Sequence, residues 1–209
     1  NNAEVLIQLA PVLFGLGAIA IFKERYTLRQ WAGMAVLVLG LSLFFHEQLN
    51  SLITATSQYL LGSSILVLAA LTWAIYALAQ KQLLQKLSSA HIMLIIYGGC
   101  TLMFSPFATP AKLLALSPLH LGMLIFCGLN TLIAYGAFAE ALEHWEASRV
   151  SAVIALAPLC TLVAVDVVAS LMPSLIAPEP LTLLGFIGAI LVVTGCMAIA
   201  LGKSSSVRP

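Results

Sequence analysis

The chain has 209 residues, of which 61% are hydrophobic and 8% are charged, and its formal net charge is +1. A soluble domain carries about 25% charged residues, so nine basic and eight acidic side chains are too few to cover a surface in water. The near-neutral charge offers no basic surface for nucleic acid, and the high hydropathy excludes a disordered chain. The composition therefore predicts a protein whose main solvent is the lipid bilayer.

Seven apolar runs each approach the length of about 20 residues that a helix needs to cross a bilayer. They are rich in Leu, Ala and Gly, and they lack the strict alternation of membrane-barrel strands. The sequence thus predicts an all-α polytopic membrane protein. In chain order, the predicted spans are 3–22, 28–46, 60–80, 91–108, 118–141, 149–172 and 181–202.

Two predicted helix starts carry capping residues. Thr27 and Gln30 have the spacing of a capping box, in which each side chain binds the backbone N–H of the other residue. Ser117 precedes Pro118, and proline is common in the first turn of a helix. Both patterns predict a helix start immediately after the capping residue.

Four isolated cysteines lie in the apolar runs, without the paired spacing of a zinc site or a disulfide framework. We interpret them as small core residues, and the sequence predicts neither a metal nor a cofactor. They are Cys100, Cys127, Cys160 and Cys196.

The Lys and Arg residues fall almost entirely into alternate loops, and such residues concentrate on the cytoplasmic side of membrane proteins. If the first helix runs toward the cytoplasm, eight of the nine basic residues lie on that side and Lys112 lies outside. The C-terminal tail is then cytoplasmic. The eight residues are Lys23, Arg25, Arg29, Lys81, Lys86, Arg149, Lys203 and Arg208.

The first two predicted helices recur as the last two. Glu24 and Thr27 lead to Gly33 and Gly40, and the same residues recur 155 positions later. Upstream, Leu-Ala-Pro recurs at an offset of 147. The repeat period is five helices, and an odd period inverts the second copy in the membrane, as in many transporters. The second-copy residues are Pro158, Glu179, Thr182, Gly188 and Gly195.

A five-helix unit predicts three further helices before Asn1 and a ten-helix carrier with a 5+5 inverted repeat. Residues 1–46 would then hold the last two helices of the first repeat, and residues 47–59 an external loop. Residues 60–202 would form the second repeat, and residues 203–209 the cytoplasmic tail.

These residues resemble a known family. The stretch 10–45, with its proline, the turn at 22–25 and its two glycines, is similar to the end of the first EamA domain of the drug/metabolite transporter superfamily. The Trp73 helix followed by Lys81, the turn at 143–151, Ala157-Pro158 and the Gly188/Gly195 helix fall where a second EamA domain places them. Two features depart from the family pattern, namely the absent first three helices and the extra residues before Glu179.

The resemblance implies a secondary carrier of the bacterial inner membrane that exports amino acids or other small metabolites by alternating access, and not an enzyme. It leaves the substrate, the direction of transport, the coupling ion and the oligomeric state open. The implied partners are the lipid bilayer and a small metabolite, with protons as a candidate coupling ion.

Asp166 lies well inside a predicted span, where an ionisable group is by default a functional hypothesis. It is a candidate proton carrier or a partner for a substrate ammonium. The alternative is a structural role near the outer interface, with hydrogen bonds to water or to Ser170. The sequence leaves both open.

Three polar or aromatic side chains, Trp73, Tyr76 and Gln80, share one face of the third predicted helix. That face suits an amphipathic substrate in a cavity, whereas aromatic residues near helix ends also anchor at membrane interfaces. Asn130 lies near the centre of the fifth predicted helix, where its amide needs a partner. It is a candidate for substrate contact or for structural hydrogen bonding.

Repeated Pro and Gly residues predict the shape of the helices. Pro11 and Pro158 each remove one helix hydrogen bond, and their presence in both copies predicts a kink or hinge in each. The four repeated glycines form two pairs spaced seven residues apart, which predicts close helix contacts along one face. The pairs are Gly33 with Gly40 and Gly188 with Gly195.

Acidic residues mark several predicted helix ends. For Glu24 and Glu179 we prefer a helix-capping role. A second group, which crowds the end of the fifth helix, is either a gate or a solvated helix end, and we prefer the latter. This group consists of Glu140, Glu143, His144 and Glu146.

Enzyme motifs are missing from the sequence. His46-Glu47 begins the zinc-protease pattern, but Asn50 stands where the second His is required. There is no nucleophile elbow, phosphate loop or dinucleotide fingerprint. The alternative to a transporter is a non-transporting membrane protein, either a structural subunit or a lipid-modifying enzyme.

Overall fold

The computed structural model describes residues 6–24, 26–47, 49, 58–171 and 182–202. The described residues form helices and no strands, as the sequence predicts. The helices are α1 (Leu9–Phe22), α2 (Leu28–Phe44), α3 (Gln58–Leu83), α4 (Ser89–Phe104), α5 (Ala111–Leu114), α6 (Pro118–His144), α7 (Ala147–Ile154), α8 (Ala157–Leu171) and α9 (Leu183–Ala200), with a 3-10 turn at Ser105–Phe107.

Five of the segments are long and apolar enough to cross a membrane, and α1 and α2 are shorter apolar helices of 14 and 17 residues. The prediction of an all-α polytopic membrane protein is therefore confirmed. The predicted span 149–172 is interrupted, because residues 155 and 156 form a turn between α7 and α8. Pro158 lacks the N–H that would bind the carbonyl of Ile154, so the helix loses one bond at this turn.

Hydroxyl side chains cap three of the helices. Thr27 and Gln30 form the predicted capping box at the start of α2, and Ser117 accepts a hydrogen bond from His120 N at the start of α6. Thr182, which the repeat aligns with Thr27, caps α9 by accepting from Gly185 N. Both predicted helix starts are confirmed, and the repeated threonines do the same work in the two copies.

Residues up to Leu78 and from Glu146 onward form one compact unit, which we call the first unit. At its centre, α2 packs against α9 through the repeated glycines. A Cβ atom on Gly195 would lie 2.8 Å from Gly33 O, and one on Gly188 would lie 2.8 Å from Gly40 O. The backbones of the two helices are thus close enough that only glycine fits between them.

The glycine contacts cross between the copies. Gly33 faces Gly195 and Gly40 faces Gly188, whereas the repeat aligns Gly33 with Gly188 and Gly40 with Gly195. Two equivalent helices that exchange contacts in this way lie antiparallel and are related by a local two-fold axis. We call this contact the glycine seam.

Apolar side chains of α2, α7 and α9 surround the glycine seam and form one buried cluster. Cys196 belongs to it and donates a hydrogen bond from its thiol to Ala152 O, at 2.9 Å. The other three cysteines are exposed, so the prediction of four core cysteines is wrong for Cys100, Cys127 and Cys160. An apolar run indicates that a residue is out of water, but it does not tell whether that side of the helix meets protein or lipid.

Residues Ala79–Trp145 form a second compact unit, in which α4 packs against α6. Gln80 is buried there and donates to Met93 Sδ, at 3.6 Å. The long helix α6 exposes a broad apolar surface, as a lipid-facing helix does. Its exposed side chains include Leu119, Met123, Phe126, Leu129 and Ile133.

We predict that Gly188→Ala destabilises the protein by about 1–3 kcal/mol, because its Cβ would meet the backbone of α2 and force the two helices apart. The matched control is Gly128→Ala in α6, where nothing lies within 4 Å of the added atom. There the better helix propensity of alanine predicts an unchanged or slightly raised melting temperature. The measurement is thermal unfolding of the purified complete protein in detergent. Equal melting temperatures for the two variants would contradict the glycine seam.

Candidate functional site

The first unit contains a cavity of about 290 Å³ at the level of the two prolines. Two interrupted helices border it. The turn at Gln8 precedes Pro11 by three residues, and the turn at 155–156 precedes Pro158 in the same way. The cavity is lined by Ile7, Gln8, Ala10, Pro11, Ala69, Ala70, Trp73, Ile154 and Ala157.

Equivalent residues of the two copies line this cavity. At the offset of 147, Ile7 corresponds to Ile154 and Ala10 corresponds to Ala157, and all four are lining residues. The two proline-containing segments therefore contribute matched walls to one space.

Trp73 provides the aromatic wall of the cavity. Its ring meets the ring of Phe14 edge to face, with centroids 6.2 Å apart and an interplanar angle of 89°. Ala70, one turn earlier on α3, lines the same wall and leaves space beside it. Tyr76 is half-buried and is not among the described residues that line the cavity. Of the face predicted on the third helix, Trp73 alone reaches this space.

A hydrogen bond joins the two copies beside the cavity. Ser151 Oγ donates to Pro11 O, at 2.5 Å, and links α7 to α1. A Cβ atom on Gly15 would lie 2.9 Å from this hydroxyl, so the glycine one turn after Pro11 makes room for it. The sequence analysis does not identify Ser151, because its partner lies 140 residues away and no local pattern indicates the contact.

Glu24 caps a helix of the other copy. Lys23 adopts a left-handed conformation, with φ 54°, and ends α1 so that Glu24 reaches the start of α7. Its two carboxylate oxygens accept from Ala147 N at 3.0 Å and Ser148 N at 3.3 Å. Glu24 therefore has the predicted capping role, but the helix that it caps begins 123 residues away. Glu179 lies outside the described residues.

Tyr26 lies beside this capped helix start. Burial raises the pKa of Tyr26 to about 12, and the carboxylates of Glu24 and Glu146 add to the rise while the Ser148 hydroxyl opposes it. Like an ordinary tyrosine the phenol is neutral at physiological pH, and the raised pKa keeps it neutral at more alkaline pH values as well.

Arg149, in the first turn of α7, binds the end of α9. Arg149 Nη2 donates to Gly202 O, at 2.7 Å, just after the end of α9. A cation at a helix C-terminus is favourable, because the last carbonyl groups carry partial negative charge. Arg149 thus ties the first turn of α7 to the end of α9.

In the second unit, charged side chains again cap helix ends. Glu143 accepts from Ser89 N at 2.7 Å, and Glu140 accepts from the Ser89 hydroxyl at 2.5 Å. Lys81 Nζ donates to Leu142 O and Trp145 O, at 2.6 and 2.8 Å. Glu140 and Glu143 of the acidic group thus bind the first residue of α4, a role that neither of the two predictions for the group included.

The remaining candidates lie on exposed helix surfaces. Asp166 is exposed on α8, nine residues beyond the cavity-lining Ala157, which is about 14 Å along the helix. The Ser170 hydroxyl donates to Val167 O at 2.7 Å, and it was the partner considered for Asp166. Asn130 is exposed on α6 in the second unit. The described residues hold no group of three metal-ligating side chains.

Comparison with known proteins decides the family. The EamA-like transporter family matches residues 60–201 of the chain. The chain belongs to the EamA-like transporter family. It is 41% identical over 200 residues to a protein of Escherichia coli named "Uncharacterized inner membrane transporter YhbE". The aligned region covers 96% of this chain and 62% of that protein.

Other relatives of the EamA chain carry transporter names. An "Uncharacterized transporter" of Haemophilus influenzae is 38% identical, with 96% of this chain and 65% of that protein covered. A "Probable amino-acid metabolite efflux pump" of Escherichia coli is 28% identical, with 86% of this chain and 60% of that protein covered. The chain thus spans about three fifths of the length of these relatives. No solved structure matches.

Proposed function

We propose that the complete protein exports amino acids or similar small metabolites across the bacterial inner membrane by alternating access, with the cavity beside Trp73 as its substrate site. The observation that carries the proposal is that matched residues of the two copies, Ile7 with Ile154 and Ala10 with Ala157, line one cavity. Inverted repeats give a carrier two conformations of similar energy, in which the halves exchange roles around a central site. The names of the relatives support the direction and the substrate class.

The apolar lining supports a substrate with an apolar part. Isoleucine, alanine and proline side chains and the Trp73 ring form most of the walls. Such surfaces bind aliphatic or aromatic groups through burial, which stabilises by about 25 cal/mol for each Å² removed from water. A substrate with a strongly charged side chain would lose the hydration of that charge in the cavity, because none of the described residues that line it carries a counter-charge.

We expect Ala70→Leu to reduce export, because the larger side chain fills part of the cavity and displaces the substrate. The assay loads cells that express the complete protein with isotope-labelled leucine or phenylalanine and follows the amino acid in the medium. We expect at least a tenfold loss of the export rate at an unchanged amount of protein.

The matched control for the cavity is Leu71→Phe, which enlarges the next residue of α3 on its exposed side. Export by this variant should stay within twofold of the unmodified protein. If Ala70→Leu exports normally, or if Leu71→Phe loses export to the same degree, the cavity beside Trp73 is not the substrate site.

The charge distribution supports a cytoplasmic C-terminus, which remains part of the proposal. In the complete protein, green fluorescent protein fused after Lys203 should fluoresce, because it folds in the cytoplasm. Alkaline phosphatase inserted near Ser51 should be active, because it folds outside. The reverse pattern in both fusions would contradict the orientation proposed from the loop charges.

The repeat supports a further helix beside α8. In the first copy, α1 packs against α3 through Phe14 and Gly17, which approach Trp73 and Leu78. The offset of 147 places Thr161 and Ala164 at the equivalent positions of α8, and both are exposed. In the proposed ten-helix protein, the equivalent of α3 would cover this surface. Asp166 lies five residues after Thr161, about 140° around α8, and therefore on the other side of the helix.

We propose Asp166 as the residue that couples export to the proton gradient. Asp166→Asn keeps the shape and most hydrogen bonds of the side chain but removes its titration. In vesicles that hold the complete protein, the variant should lose leucine accumulation driven by a pH gradient and keep downhill exchange. Accumulation at the unmodified rate would assign Asp166 a structural role instead.

A further inference from the structure

A buried amide oxygen on the cavity wall lacks a partner. Gln8 Oε1 is shielded from solvent and accepts no hydrogen bond from any part of the chain that the structure describes. Leaving a buried polar atom unpaired opposes folding, so an amide is rarely retained at such a position without a reason. The other lining side chains are apolar, apart from the indole of Trp73.

The second copy shows that the helix interruption does not need this amide. At the offset of 147, Gln8 corresponds to Ala155, and both residues occupy the turn that precedes a proline by three positions. Ala155 forms its turn with a methyl group that is fully buried in the apolar cluster. The turn thus follows from the proline, and the amide of Gln8 is an addition in one copy only.

We propose that Gln8 is the residue that recognises a hydrogen-bond donor of the substrate. Its amide oxygen accepts an N–H or O–H group, while the indole of Trp73 and the Ile7 and Ile154 side chains bury the apolar part of the same molecule. The cavity therefore selects a small amphipathic compound with a donor at one end. This inference rests on the proposed substrate site and names the residue that gives it polarity.

The asymmetry between the copies gives the site a direction. Matched apolar residues line both sides, but among the described lining residues only Gln8 of the first copy presents a side-chain acceptor. A bound molecule consequently orients its donor toward α1 and its apolar part toward α3 and α7. A ligand that lacks the donor leaves Gln8 Oε1 unpaired. The protein should bind such a ligand about two- to tenfold more weakly, which is the usual net contribution of one hydrogen bond.

The test uses two rigid probes of the same shape. Indole has one N–H donor, and benzofuran replaces this group with an oxygen atom that cannot donate. Isothermal titration calorimetry measures both probes on the purified complete protein in lipid nanodiscs. We expect the unmodified protein to bind indole about two- to tenfold more tightly than benzofuran.

Gln8→Leu should remove this preference and leave the affinity for benzofuran within twofold of the unmodified protein. Partition of the probes into the lipid is the same for both proteins, so the comparison between them isolates the amide. Gln8→Asn, which keeps the amide on a shorter side chain, is a second variant that should lose most of the preference while remaining folded. The melting temperature of each variant confirms that the fold is retained.

The binding results distinguish a failure of the role of Gln8 from a failure of the proposed substrate site. If the unmodified protein binds both probes equally, or if Gln8→Leu still prefers indole, the cavity is a binding site but Gln8 does not read the donor. If Ala70→Leu leaves the binding of both probes unchanged, the probes bind elsewhere, and the proposed substrate site fails together with the role of Gln8.

Discussion

Close contact between α2 and α9 is the constraint on which the rest of the first unit depends. Four glycines let the two backbones approach until a Cβ on Gly195 would lie 2.6 Å from Leu37 N. In lipid there is little hydrophobic force between helices, so such close packing supplies much of the attraction. The seam also sets the orientation of the copies, because its glycines match only when the helices run antiparallel.

Paired prolines lie at the cavity that we propose as the substrate site. Each proline removes one helix hydrogen bond, and the chain turns at Gln8 in one copy and at 155–156 in the other. The two turns border the same cavity, and Ser151 donates a hydrogen bond to the carbonyl of the lining residue Pro11. The copies differ at the turn before each proline, since Gln8 lines the cavity and its counterpart Ala155 is buried in the apolar cluster. The repeat thus accounts for the matched apolar residues that line the cavity, and the difference between Gln8 and Ala155 accounts for the amide that only the first copy contributes.

Several charged side chains lie at helix ends, where backbone groups need partners. Glu24 caps α7 from another copy, Arg149 binds the carbonyl of Gly202, and Lys81 binds carbonyls at the end of α6. A chain with few charges therefore uses them where a helix leaves four N–H or C=O groups unpaired. These long-range caps tie distant segments together, and they explain why the acidic residues cluster at the ends of spans.

The sequence alone determined the helical class, the caps of α2 and α6, and the repeat. The class follows from the apolar composition, the caps depend on residues three positions apart, and the repeat is a visible period. Tertiary structure decided the rest. Glu24 was predicted as a cap, but its helix lies 123 residues away, and no local pattern names such a partner. Trp73, Tyr76 and Gln80 share a helix face in sequence, yet each meets a different environment because the neighbouring helices cover that face unequally. Gln8 became visible only when the cavity placed its amide oxygen among apolar walls, since burial is a property of the assembled helices and not of the residue.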